Sequence, residues 1–171
     1  MNRVTKNLLL LLGFSALLSS CHKIVGSGPV VSETKNYSGF TGVDLALDAN
    51  VSIISDSVYR VELLAQRNIL DVIRTRMDGS SLCIGLQAGA WIKAGEPIVV
   101  KLHMPVIDHL SVSGSGSVVS NSAWQSTGID LNVSGSGKIA LASVMAQTID
   151  ADISGSGEIQ IGNGSATNIE T

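Results

Sequence analysis

Asp130 and Asp150 occupy places twenty residues apart, and Asp150 and Asp152 would project from the same side of one strand. Carboxylates gathered on one face can act as acid and base in glycosidic cleavage, or hold a cation. Three serines, Ser115, Ser136 and Ser156, follow one another at intervals of 21 and 20 residues, each inside a Ser-Gly-Ser-Gly run. A serine nucleophile needs a base beside it, and no histidine recurs at an equivalent position. His22, His103 and His109 show no metal-ligand spacing, and His103, between Leu102 and Met104, reads as outward-facing. A polysaccharide lyase would also want Arg or Lys near the aspartates, yet the repeated region carries only Lys138. The plainer reading leaves Asp130, Asp150 and Asp152 as solvent-facing residues that keep strands soluble.

What positions these side chains is a repeat. The runs begin at Ser113, Ser134 and Ser154, and their flanks match: Leu110 and Val112, Leu131 and Val133, Ala151 and Ile153 before; Val118, Ile139 and Ile159 after. A flexible linker has no reason to keep apolar residues in register on both sides. A phosphate loop would need a lysine after its last glycine and a following helix, whereas Ser117, Lys138 and Glu158 each lead into a strand. The aspartate that calcium-binding nonapeptide repeats carry within their glycine run is missing, so the sequence calls for no metal or cofactor.

A period near twenty with strand-like alternation predicts an all-β fold of the β-solenoid or parallel β-helix kind, with repeats at about 108–127, 128–147 and 148–167. Gly114, Gly116, Gly135, Gly137, Gly155 and Gly157 then make corners repeated at each level, where small residues free of dihedral restriction are needed. If the chain stays extended through the run, all six glycines share the inward face and the serines form outward ladders. Stacking also sets charge pairs: Lys138 over Glu158, His109 over Asp130, and the like-charged Asp130 over Asp150. One coil cannot bury enough apolar surface by itself, so neighbours are required. Ile169 falls where Ile149 would sit one repeat later, so a fourth coil begins as the chain stops, and the open edge invites edge-to-edge self-association.

Before the repeats, alternation over Val43–Ile53, Tyr59–Leu63, Leu82–Leu86 and Ile98–Met104 predicts strands. Asp78-Gly79 marks a turn, and Ile69–Ile73 suits a helical turn as well as a strand. Cys83 reads as a small apolar residue inside a strand. Trp91, in a glycine-rich loop, reads as an anchor packing that loop onto the domain, with stacking on a sugar as the other reading. Trp124 and Met145 are expected to cover the core.

At the start, Arg3 and Lys6 precede an eleven-residue apolar run, Leu8–Leu18, which is the pattern of a signal peptide over residues 1–20 and too short to span a bilayer. Leu18-Ser19-Ser20-Cys21 resembles the bacterial lipobox, which implies acylation of Cys21 and attachment through acyl chains to an envelope membrane, the outer membrane above all. Residues 22–36 read as a flexible tether. Without Arg3 and Lys6 the chain carries nine basic and fourteen acidic side chains, a net charge of −5 with no basic patch, so a nucleic-acid partner is not expected.

The combination of lipobox, GFTGVDLALDANVSII, YRVELLAQRNILDVIRTRMDGSSLCIGL, a strand ending in Met104-Pro105 and LSVSGSG with its repeats resembles the head GIN domain family, described as putative autotransporter adhesins, over residues 37–171. Members are secreted or lipid-anchored bacterial proteins, frequent in Bacteroidetes. The resemblance implies a β-helix-like domain with a non-catalytic adhesive or structural role toward an extracellular glycan or protein. The alternative is a polysaccharide-active β-helix enzyme using the outward carboxylates.

Overall fold

The computed structural model describes residues 22–166 and 168–170. The signal segment and the acylation expected at Cys21 lie outside the described residues. The elements are, in order, β1 (His22–Val25), β2 (Val30–Lys35), β3 (Gly42–Ala46), β4 (Asn50–Ser55), β5 (Arg60–Gln66), α1 (Arg67–Leu70), β6 (Ile73–Asp78), β7 (Ser81–Leu86), β8 (Ala90–Lys93), β9 (Val99–Met104), β10 (His109–Gly114), β11 (Ser117–Gly135), β12 (Lys138–Gly155), β13 (Glu158–Ser165) and β14 (Asn168–Glu170). The ambiguous Ile69–Ile73 stretch resolves into one helical turn followed by a strand. No helix among the described residues is long and apolar enough to cross a membrane.

The twenty-residue period is a stacking period. Leu110 pairs with Leu131 and that with Ala151, while Val112 pairs with Val133 and that with Ile153, all in parallel register. Each pass of the chain crosses two walls. One wall runs β6, β7, β3, β10, the second half of β11, the second half of β12, then β14. The other runs β2, β5, β9, β4, the first half of β11, the first half of β12, then β13. Period-two alternation turns Val43, Leu45, Leu110, Val112, Leu131 and Val133 of one wall toward Val51, Ile53, Val118 and Ile139 of the other, where all are buried. Burial of such side chains contributes about 1.5–3 kcal/mol each, and the space between the walls is the core.

The fold is all-β on a curled, mixed sheet, and it departs from the expected solenoid in two ways. Order in space is not order in the chain: β3 lies between β7 and β10, and β4 between β9 and β11. Strands β6, β5 and β2 run antiparallel to their neighbours. Gly79, with φ +59°, lies in the two-residue turn between β6 and β7, a connection too short for the crossover that parallel strands need. The tether expected over residues 22–36 is also corrected, because β1 pairs with β8 and β2 with β5. Pro29 and two glycines had concealed the alternation of Val31, Glu33 and Lys35.

The antiparallel end is rich in ion pairs. Arg67 Nη1 lies 3.0 Å from Glu33 Oε2, Lys101 Nζ lies 3.7 Å from Glu62 Oε2, and Lys35 is bonded to Glu33. In the turn after β4, the Val58 amide donates to Asp56 Oδ1 at 3.1 Å and His103 Nδ1 lies 2.9 Å from Asp56 Oδ2. The His103 hydrogen bond, then the Val58 amide, hold the Asp56 carboxyl below its ordinary range. Glu33 is lowered chiefly by its hydrogen bond from Lys35, and Glu62 chiefly by that from Ser32. A carboxylate with a depressed folded-state pKa stabilises above its unfolded value, about 4, and that contribution is lost as pH falls through the folded value. Urea midpoints taken between about pH 5 and pH 2 should therefore fall, and Asp56→Asn should flatten that slope.

Candidate functional site

The serine-glycine corners divide their work. Gly114, Gly135 and Gly155 have φ of +107°, +114° and +123°, a conformation that side-chain-bearing residues rarely adopt, so the first glycine of each run turns the chain. Gly116 and Gly137, the second glycines, are buried. A Cβ on Gly137 would lie 2.5 Å from Val112 Cγ1 and 2.9 Å from the Gly116 carbonyl oxygen, and Gly157 is packed the same way on Val133 and Gly137. The run does not stay extended, so only the second glycines take the inward position predicted for all six. Ser115, Ser136 and Ser156 stand exposed at the corner tips. Successive corners are stitched by Ser136 N to Gly114 O at 2.9 Å and Ser156 N to Gly135 O at 2.8 Å.

Beside the corners, on the outer face of the first wall, two rows cross the strands. Gly42, His109, Asp130 and Asp150 form one; Asp44, Ser111, Asn132 and Asp152 form the other. His109 bridges levels, with Nε2 3.2 Å from Asp44 Oδ1 and Nδ1 3.1 Å from Asp130 Oδ2. Asn132 Nδ2 donates to the other Asp130 oxygen at 2.8 Å. Both oxygens of Asp130 are thus engaged within the protein, while Asp150 and Asp152 are exposed. Among the described residues no group of three His, Cys, Asp or Glu side chains is arranged to hold a metal ion.

On the second wall Lys138 Nζ donates to Glu158 Oε2 at 3.0 Å, one level apart as the spacing required. Glu158 is exposed and Lys138 partly so, and the pair contributes at most about 1 kcal/mol. Lys138→Glu should lower the urea midpoint slightly, and adding Glu158→Lys should restore it; recovery in the double variant reports the register.

The row of polar residues extends further than the sequence indicated. An open groove of about 400 Å³ is lined by Asp44, Arg74, Arg76, Asp78 and Cys83 among others. Cys83 lies in its strand as expected, half-buried, with Sγ donating to Asp44 Oδ2 at 3.7 Å. Burial first, then the Asp44 charge, pushes its thiol pKa up. The outward alternation of Arg74 and Arg76 along β6 was the available signal for this groove. His103 faces partly outward as expected, and Trp124 is buried at 2% exposure. Trp91 is 57% exposed, so it is not the buried loop anchor expected, and Met145, at 51%, is not the core cover expected of it. Trp91 lies on β8, whose four residues show too little alternation to be read as a strand.

No curated protein matches the chain. Solved structures share its fold. A "Putative lipid binding protein" from Parabacteroides distasonis ATCC 8503 superposes with a TM-score of 0.80 at 19% identity, over 86% of this chain and 64% of that one. The chain thus spans less than two thirds of that protein. A "putative adhesin" from Bacteroides fragilis NCTC 9343 gives 0.67 at 16% identity, over 85% and 77% of the respective chains. Another from Parabacteroides distasonis ATCC 8503 gives 0.65 at 19%, over 85% and 70%. The family model described as "Putative auto-transporter adhesin, head GIN domain" matches residues 39–171, and the chain belongs to that family.

Proposed function

We propose that this chain is a non-catalytic display module of the bacterial envelope, anchored by acyl chains on Cys21 to the outer membrane. Its repeats act as a β-solenoid stack that presents polar side chains at fixed spacing to an extracellular glycan or protein. The observation that carries this reading is the continuous outer ladder of His109, Asp130 and Asp150 beside Ser111, Asn132 and Asp152, with Ser115, Ser136 and Ser156 at the adjoining corners. Rungs about 4.8 Å apart offer hydrogen-bonding groups at a regular repeat, which suits an extended ligand. The family's description as an adhesin supports a surface role of this kind. Beyond the ladder, β13 and β14 pair only with β12 among the described residues, and that edge is where a second copy would add.

A glycan array and a pull-down from envelope extracts test the binding role. Retention by one ligand class, lost in an Asn132→Ala and Asp152→Ala double variant, is the expected outcome; no ligand for the folded domain would leave only a structural role. Cleavage of a polysaccharide by the parent protein and not by Asp152→Ala would instead establish the enzyme reading.

A further inference from the structure

We infer that the outer face of the β1 and β8 ribbon docks on the headgroup layer of the membrane, so that the domain meets the bilayer in one fixed orientation. The inference rests on the anchoring at Cys21 proposed above and adds how the folded domain meets that membrane. Strand β1 begins at His22, so Lys23 is two residues from the acylation position, within about 7 Å of extended chain. Parallel pairing sets Lys23 against Trp91 and Val25 against Lys93. Ile24 and Ile92, the alternate residues, pack on the core, which leaves Lys23, Val25, Trp91 and Lys93 exposed on the opposite face. Lys23 Nζ sits 4.8 Å from the centre of the Trp91 ring.

This face combines two cations with an exposed aromatic ring and an exposed aliphatic side chain, in a chain whose predicted mature form carries a net charge of −5. Tryptophan favours the headgroup level, where its apolar ring and N–H are both accommodated, and lysines there meet lipid phosphates. The ribbon is held firmly enough to orient the domain. Gly26 N donates to Lys93 O at 2.9 Å, and Asn68 Nδ2 to Val25 O at 2.7 Å. The buried Gln66 donates to Gly28 O at 2.9 Å and accepts from Gly95 N at 3.2 Å. Because β8 connects β7 to β9, next to the antiparallel cap, the capped end of the stack faces the lipid. The level carrying Asp152 lies four strand steps beyond β7, about 19 Å at the usual spacing.

The test uses the protein purified from its membrane, with the mass of its N-terminal peptide reporting acylation, in phosphatidylcholine vesicles containing phosphatidylglycerol and brominated acyl chains. The expected result is quenching of the exposed tryptophan emission, with the quenched component absent from Trp91→Phe. Acylated protein whose Trp91 emission is unchanged would overturn the docking while leaving the anchor in place. If the N-terminus carries no acyl group, the anchoring reading fails, and partition of the same protein into these vesicles decides the docking. Binding that drops roughly 30-fold in the Lys23→Gln, Lys93→Gln variant sustains it, and no binding overturns it.

Discussion

Gly116→Ala lowers the stability of the domain by about 3 kcal/mol, at the upper end of what one added carbon costs in a packed interior. The Cβ would fall well inside van der Waals contact of the Leu47 carbonyl oxygen, 2.7 Å from Leu45 Cδ2 and 3.2 Å from the Ala49 carbonyl oxygen. Two of those three neighbours are backbone of the level beneath, so no rotamer change relieves the clash. The corners must instead separate, which strains the pairing of Ser117 with Asn50 and the bond from Ser117 N to Ala49 O. Urea unfolding followed by far-UV circular dichroism should show the lower midpoint, and the melting temperature should drop by roughly 6–12 °C. Gly114→Ala has open space around its Cβ and is opposed only by the +107° φ, for a smaller cost of about 1–2 kcal/mol. Ser115→Ala, at the exposed corner between them, should change stability by less than about 0.5 kcal/mol.

Trp124→Ala should cost about 3–5 kcal/mol. The ring fills the core beside the irregularity between Ser120 and Ala123, where β11 slips against β12. Its Nε1 donates at 2.9 Å to Ser120 Oγ, which in turn donates at 2.7 Å to Ile53 O. That chain satisfies Ser120, a buried hydroxyl standing where Leu141 stands one level on. Truncation opens a cavity and removes one of those bonds together. Trp124→Phe keeps most of the apolar volume and loses the indole N–H, so a smaller cost of about 1–2 kcal/mol is expected. Far-UV circular dichroism is again the suitable probe, since tryptophan emission itself changes in both variants.

The stack was legible from Ser113, Ser134 and Ser154 because stacked levels present the same environment at equivalent positions, and similar environments select similar residues. Lys138 with Glu158 and His109 with Asp130 stood one level apart for the same reason. The level made of β3 and β4 escaped notice because its corner, Leu47–Ala49, uses no Ser-Gly run, so its place between β7 and β10 left no trace in the period. Strand direction does not alter period-two alternation, which is why the antiparallel β2, β5 and β6 looked like any other strands. The two glycines of each run look alike in sequence and differ only in what approaches them: open solvent at Gly114, the carbonyl oxygens of Leu47 and Ala49 at Gly116. Of the candidate site, Asp130, Asp150 and Asp152 were legible as a set, whereas Asp44 and Cys83 joined their row only through the non-sequential stacking of β3 and β7.

Disulfide trapping measures the stacking most directly. In a Cys83→Ser background, Asn132→Cys with Asp152→Cys places two thiols on directly paired residues of β11 and β12, at a separation that a disulfide bridges. Rapid, near-complete closure on mild oxidation is predicted, against none for Asn132→Cys with Gln160→Cys, whose second site lies on the other wall. Failure of the first pair to close, or equal closure of both, would contradict the stack.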